Sequence, residues 1–186
     1  YIEEYFIYGL NNSRYLISSE KYIIHSIVIM KDSIAESDET ISRYSQKNKS
    51  IVTILNKKDF LSKYEYKHTQ GILIFFSGEL LKKFDEIKFY NKNICYLIID
   101  QINDPQNLGQ IIRTCECAGI NGIILPKHGS VHITNSVLQV SQGAFTNVDL
   151  FMVTNIRNTE IMLGSQKKTL SKIEIKNLKS TRKSIY

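Results

Sequence analysis

Ile94-Cys95-Tyr96-Leu97-Ile98-Ile99-Asp100-Gln101-Ile102-Asn103-Asp104-Pro105-Gln106-Asn107-Leu108-Gly109-Gln110-Ile111-Ile112-Arg113-Thr114 is the stretch whose reading decides the fold. Its first six residues form a continuous apolar run, which suits a parallel strand buried on both faces. Asp104-Pro105 sets a turn. Leu108 to Ala118 reads as a helix that Gly119 stops. Gly122-Ile123-Ile124-Leu125-Pro126 is the next strand, ended by its proline. A helix is expected from about Thr134 to Gln142, and Val148 to Val153 reads as a third strand. Strand, helix, strand, helix, strand points to consecutive right-handed βαβ units on a parallel sheet.

Upstream the periodicity also alternates. Phe6-Ile7-Tyr8-Gly9 is a short apolar piece ending in a turn residue, and Leu10 to Ser19 can form a helix with Asn11 and Asn12 at its N-terminus. Ile23 to Met30, Ile51 to Leu55 and Gly71 to Phe76 read as strands. Ala35 to Asn48 and Lys57 to Tyr64 read as helices between them. This is a small α/β domain, here assigned to residues 1–77. Residues 78–93, with a Lys-rich helical stretch from Glu79 to Lys88, are expected to be a linker. The second domain is assigned to 94–166, with Ile156 to Gln166 as an amphipathic helix. Lys167 to Tyr186 carries no convincing strand and is expected to be a basic, solvated tail.

Ligands of open α/β sheets bind at the carboxyl ends of the strands. Three segments lie there: Asp100 to Arg113, Pro126 to His132 and Thr154 to Asn158. In the first, Asn107 is a natural N-cap. Gly109 leaves room for a ligand to approach the backbone, and Arg113 follows one turn later (i, i+4). A helix N-terminus suits a phosphate, and a guanidinium matches phosphate bidentately. The residues therefore fit an anionic, hydroxyl-bearing ligand such as a ribose-phosphate. They equally fit a plain cap, a packing gap and a surface cation. Neither a GxGxxG fingerprint nor a GxxxxGK[ST] loop is present.

Asp104-Pro105-Gln106-Asn107-Leu108-Gly109-Gln110-Ile111-Ile112-Arg113-Thr114, then Ala118-Gly119, then Ile123-Ile124-Leu125-Pro126-Lys127 resembles the first motif block of the SpoU (TrmH-like) RNA ribose 2′-O-methyltransferases. The similarity continues through Val140-Ser141-Gln142-Gly143-Ala144 to Val153-Thr154-Asn155-Ile156. Phe6-Ile7-Tyr8-Gly9 and His68-Thr69-Gln70-Gly71-Ile72 resemble the family's ribosomal-protein-like RNA-binding domain. The resemblance covers about residues 5–156. It implies an α/β fold whose C-terminal segment threads a deep trefoil knot, usually as a homodimer. It also implies methyl transfer from S-adenosylmethionine to a ribose 2′-OH of ribosomal or transfer RNA, ribosomal being the first choice. By that resemblance Arg113 acts at the 2′-OH and Asn107 orders the loop. Thr154 and Asn155 lie toward the donor, and Gly109, Gln110, His68 and Lys127 toward RNA. Because a guanidinium is not readily deprotonated, Arg113 is read as a charge stabiliser, with a phosphate oxygen or water taking the proton.

The pattern departs from the family after Asn155. The second family motif, a Gly-Ser/Ala-Glu turn, is echoed by Leu163-Gly164-Ser165-Gln166, with Gln in place of Glu. The third, an Ile-Pro strand before a Ser-Leu-Asn-Val-Ser helix, is not found. The methyltransferase domain is therefore expected to be incomplete, its donor site missing or altered. Three readings follow: an enzyme, an RNA-binding relative without catalysis, and a non-functional remnant.

Composition bounds these readings. The chain has 186 residues, 42% apolar and 23% charged, which is globular and too short for three domains. Its net charge of +6 resides in residues 157–186, with eight basic against two acidic side chains, while residues 1–156 balance at 16 against 16. The basicity thus says nothing about the folded body. No apolar run approaches a membrane span, and the acidic start, Tyr1-Ile2-Glu3-Glu4, is not a signal peptide. The first residue is not Met, so the natural N-terminus is expected upstream. Three Cys without a CxxC pair fit a reducing cytoplasm. His128 and His132 lack a third ligand and the helix their spacing needs, so no metal site is expected.

Overall fold

The computed structural model describes residues 3–83 and 95–159, and the backbone of 171–172. Two sheets organise them. The first contains β1 (Glu4–Tyr8), β2 (Ile23–Met30), β3 (Val52–Leu55) and β4 (Ile72–Ser77), in the order β1-β4-β2-β3. β4 is antiparallel to β1 and β2, and β2 is parallel to β3. The helices between these strands are α1 (Leu10–Ser19), α2 (Glu39–Lys47) and α3 (Lys57–Lys63). Phe6 to Tyr8 thus lies in a full edge strand, one more than the three strands expected.

Caps set the helix limits. The α2 helix starts four residues later than expected because Asp38 takes the N-cap, accepting from the Ile41 amide at 3.1 Å. Asn56 caps α3 in the same way, accepting from the Asp59 amide at 2.9 Å. Arg14 on α1 donates through Nε to Asp38 at 2.8 Å. Burial opposes the charge on Asp38, but hydrogen bonds from Arg14 and the helix amides hold its carboxyl below the usual range.

The second sheet has the order β5-β8-β7-β6-β9, with every neighbouring pair parallel. Its strands are β5 (Leu81–Lys83), β6 (Tyr96–Ile98), β7 (Gly122–Pro126), β8 (Asp149–Val153) and β9 (Ser171–Lys172). The helix α4 (Pro105–Cys117) joins β6 to β7, and α5 (Asn135–Val140) joins β7 to β8. Side chains alternate across this sheet. Leu97, Ile99, Ile123, Leu125 and Leu150 pack with α4 and α5. Ile98, Ile124, Phe151 and Val153 form a second cluster on the other face, with Ile156 against it.

Two expectations are corrected here. The stretch 81–83 is not helical. It forms β5 and adds to β8, because Leu81 and the stems of Lys82 and Lys83 extend an open parallel edge, where Lys82 pairs with Asp149 at 2.8 Å. Residues 84–94 lie outside the described residues. The chain beyond Lys167 does contain a strand. β9 pairs with the outer edge of β6 through Leu97 and Ile98, whose free backbone groups take a parallel partner that local pattern does not reveal. Residues 156–159 are helical. The remainder of the expected helix, the Leu163–Gln166 echo and the rest of the tail lie outside the described residues.

One core joins the two sheets. Tyr5, Ile7, Ile74 and Phe76 of the first share a cluster with Val137, Leu138 and Phe145 of the second. Phe145 stacks on Phe76 at 6.0 Å between centroids, and Tyr22 packs edge-on to both. The free edge of β1 is closed by side chains of α5. The Phe6 amide donates to Asn135 Oδ1 at 3.1 Å. The Tyr8 amide donates to Gln139 Oε1 at 3.1 Å, and Gln139 Nε2 donates back to the Tyr8 carbonyl at 2.9 Å. Two side chains four apart on one helix thereby do for this edge what a neighbouring strand would.

Candidate functional site

All five parallel strands direct their carboxyl ends to one edge, and three loops meet there. The Ile99 amide bonds the Ile124 carbonyl at 3.0 Å, Lys127 bonds the Val153 carbonyl at 2.8 Å, and Val131 bonds the Ile102 carbonyl at 2.7 Å. The loops after β6, β7 and β8 are thus tied together by backbone. Ile102 and Ile133 are buried beneath them. Ser130, in the loop after β7, has a buried hydroxyl with no hydrogen-bond partner among the described residues. Such an orphan is costly without a ligand or water to satisfy it.

The helix α4 rises from this edge. Its N-cap is Asp104, which accepts from the Gln106 amide at 2.9 Å, and Pro105 occupies the first turn. Asn107 is therefore not the cap. A capping aspartate followed by a proline preset for the first helical position takes precedence, and Asn107 sits in the first turn, half-buried. Gln106, Gln110 and Arg113 form an exposed stripe on the helix, while Leu108, Gly109, Ile112 and Cys115 face inward. Arg113 lies about 9 Å along the axis from Asn107. Among the described residues it makes no hydrogen bond or ion pair.

Gly109 does not leave room for a ligand. A Cβ there would meet Val140 Cβ at 2.6 Å and the Val137 carbonyl at 2.9 Å. The missing side chain lets α5 pack directly on α4, and Gln106 Nε2 reaches Ser136 Oγ at 3.3 Å along the same contact. Its placement toward RNA is corrected accordingly. Burial, with Cys95 nearby, pushes the Cys115 thiol up to about 11, so it stays a neutral packing group.

Lys127, Thr154 and Asn155 are exposed at the carboxyl edge. The Asn155 side chain caps the helix beginning at 156, accepting from the Asn158 amide at 3.1 Å. His68 lies apart from them, exposed in the loop before β4 with φ of 64°. The fold therefore brings Asn107, Gln110 and Arg113 onto one helix, gathers Lys127, Thr154 and Asn155 at the strand ends, and leaves His68 on the other sheet. Ser130, Asn135 and Gln139 escaped sequence reading, because an orphaned hydroxyl and a side-chain edge lock carry no local signature. Two cavities, of about 430 Å³ between α2 and β3 and about 320 Å³ where Lys21 and Tyr22 meet Asp149, both lie away from this edge.

An open parallel sheet with loops tied at its carboxyl ends and a helix bearing Asn107 and Arg113 defines the class of open α/β proteins that bind ligands at that edge. Residues 94–184 match the model of the SpoU rRNA methylase family, and the chain belongs to that family. The match runs 28 residues beyond Ile156, where the motif resemblance stops. A protein of Staphylococcus saprophyticus assigned to the TrmH family of tRNA/rRNA methyltransferases is 31% identical over 137 residues, covering 71% of this chain and 55% of that protein. The chain thus spans about half the length of the curated relatives it matches. Among solved structures, the SpoU methyltransferase AviRb of Streptomyces viridochromogenes in complex with AdoMet superposes with a TM-score of 0.66 at 12% identity, over 88% of this chain and 59% of that one. The AdoMet-bound rRNA methyltransferase of Sinorhizobium meliloti gives 0.62 at 19%, over 88% and 58%. These likenesses establish the fold. No helix among the described residues is long and apolar enough to cross a membrane.

Proposed function

We propose that this chain takes part in methyl transfer from S-adenosylmethionine to a ribose 2′-OH of RNA, ribosomal RNA first, as a homodimer. The observation that carries this reading is Arg113. It is a permanent cation on the exposed stripe of α4, unpaired among the described residues, within the region that matches the family. A relative that the chain resembles is assigned to the TrmH family of tRNA/rRNA methyltransferases, and two solved structures of similar fold are AdoMet complexes.

When bound, the donor supplies a sulfonium-activated methyl group. The chain's own residues do the positioning. The orphaned Ser130 hydroxyl and the exposed Thr154 offer polar contacts at the strand ends, which fits the polar part of such a donor. Arg113 holds the phosphate beside the reacting ribose and lowers the energy of its developing alkoxide. The proton leaves to a phosphate oxygen or water, since Arg113 cannot accept it. Asn107 orders the loop that carries this geometry. The first sheet supplies RNA affinity.

The test is titration calorimetry of the folded chain with S-adenosylmethionine, followed by transfer of labelled methyl to ribosomal RNA. Micromolar binding is expected. Arg113→Ala is expected to lower transfer about 100-fold or more with RNA affinity largely intact. Absence of donor binding would leave an RNA-binding relative, and unchanged turnover would refute the role of Arg113.

A further inference from the structure

One face of the first sheet is only half covered. On its inner face Tyr5, Ile7, Ile74 and Phe76 join the shared core. On the outer face the seven-residue α3 buries Phe60 against Val28 and Leu73, and covers little more. The rest of that face carries aromatic rings in continuous contact. Tyr66 stacks on Tyr8 at 5.4 Å and 14° and meets Phe6 at 5.3 Å. Phe6 meets Phe75 at 6.0 Å, and Phe75 meets Tyr64 at 6.4 Å. None of these five rings is fully buried, and Tyr66 is 44% exposed. Four of the rings are half-buried against Val28, Phe60 and Leu73 and Tyr66 is exposed above them, so the cluster ends in an accessible aromatic surface of the kind that marks an interaction site.

The fringe of this face is cationic. Lys63 lies over the Tyr64 ring at 5.6 Å. Lys57, Lys58, Lys67 and His68 are exposed in the same segment, against Asp59 and Glu65. Asp59 is engaged by Asn56 at 2.7 Å. Flat apolar rings bordered by cations suit a single-stranded polyanion whose monomers carry π-faces. A protein partner would ask for apolar shape complementarity and no excess of lysine.

The face is also continuous with the candidate site. Phe6 is bonded to Asn135, and the next residue, Ser136, touches Gln106 in the first turn of α4. The two-point bond between Tyr8 and Gln139 fixes the distance. We propose that the Tyr66–Tyr8–Phe6 face is a stacking platform for unpaired RNA bases, held by α5 at a set distance from Asn107 and Arg113. This rests on the RNA reading above and refines it. The platform takes nucleotides flanking the target, recognised by their ring faces and not by their sequence. His68 then acts as a neighbour of the platform, not as part of the transfer site.

The experiment measures anisotropy of labelled oligoadenylate of about 12 nucleotides and of duplex RNA of equal length, each with the full chain. The unchanged protein is expected to favour the single strand. Tyr66→Ala is expected to weaken single-strand binding by roughly 5- to 100-fold, the loss of one stacked base, and to leave duplex binding and the salt slope unchanged. Tyr66→Phe keeps the ring and is expected to restore the affinity. Equal single-strand affinity in Tyr66→Ala, or parallel losses on both probes, would overturn the platform. Far-ultraviolet dichroism confirms folding, and Tyr66→Leu, which keeps bulk without a ring, separates stacking from packing. If no methyl transfer is found but the dependence on the Tyr66 ring persists, the enzymatic reading fails and the platform stands. If transfer proceeds with an unchanged KM in Tyr66→Ala, the platform fails and the enzymatic reading stands.

Discussion

Every residue of β7 in the parallel sheet is buried, whereas no residue of β3 in the mixed sheet is. The two sheets share a core, and β7 and β3 are five and four residues long, so strand length does not explain the difference. Connectivity does. Parallel neighbours require crossovers that lay helices on the sheet, and α4, α5 and the segment from Ile156 cover both faces of β7. Chemistry can then reach that sheet only at its strand ends, where the three loops are tied together. The mixed sheet pairs β4 antiparallel with β1 and β2, which leaves part of a face for solvent and for ligands. One sheet offers an edge and the other a face.

The sharpest way to break this comparison is to change one side chain in each sheet's surroundings. Gly109→Val adds a branched side chain where a Cβ alone would stand 2.6 Å from Val140 and 2.9 Å from a backbone carbonyl. It is expected to cost about 3 kcal/mol, read by urea denaturation. Ile54→Ala, at a position 55% exposed on β3, is expected to change stability by no more than about 0.5 kcal/mol. Comparable losses at the two sites would mean that the mixed sheet is as tightly enclosed as the parallel one.

A smaller effect probes the junction. Gln139→Leu removes both bonds to Tyr8 and leaves a strand-edge amide without a partner, while the Tyr8 carbonyl still accepts from Asn12 Nδ2 at 3.1 Å. The expected cost is about 2 kcal/mol, and the Tyr8 amide is expected to exchange with solvent far faster, by nuclear magnetic resonance. Asn135→Leu is expected to act likewise at the Phe6 amide. If exchange at Tyr8 is unchanged, the edge of β1 is closed by something other than α5, and the two sheets are not held as one body by this contact.

The contrast also explains what the sequence made legible. The continuous apolar runs of β6, β7 and β8 announced a parallel sheet because burial on both faces leaves no alternation to confuse the pattern. The Asn107-to-Arg113 block was readable because it is local. Its cap was misplaced by three residues, since Asp104-Pro105 and Asn107 are both good starts and only the geometry decides between them. Gly109 was ambiguous for a deeper reason. A missing side chain looks the same whether a ligand or a helix fills the space, and Val140 lies 31 positions away. β5 and β9 are edge strands of three and two residues, recruited by partners distant in sequence. The lock of Asn135 and Gln139 on β1 spans about 130 residues, so no window over the sequence displays it.

The mildest test turns on alkali at the same junction. Tyr22 packs against Phe76 and Phe145, and burial first, then the charge of Asp149, pushes its phenol up from 10.0 to about 12. A group whose folded pKa is raised stabilises the fold fully below its unfolded value, and that contribution is lost as pH rises through the folded one. Stability is therefore expected to fall between pH 10 and pH 12. Phenylalanine has no proton to lose, so Tyr22→Phe is expected to flatten this fall by on the order of 1 kcal/mol near pH 11, measured by urea denaturation at stepped pH. The sign matters for the comparison. The pressure on Tyr22, which stands just before β2, comes first from its burial at the junction and then from the Asp149 carboxylate of β8, so the effect exists only while the two sheets stay packed. Loss of the alkaline slope in Gln139→Leu as well as in Tyr22→Phe would show that the edge lock and the aromatic junction are one structure. A slope that survives in Gln139→Leu would show that Phe76 and Phe145 hold the sheets together without it.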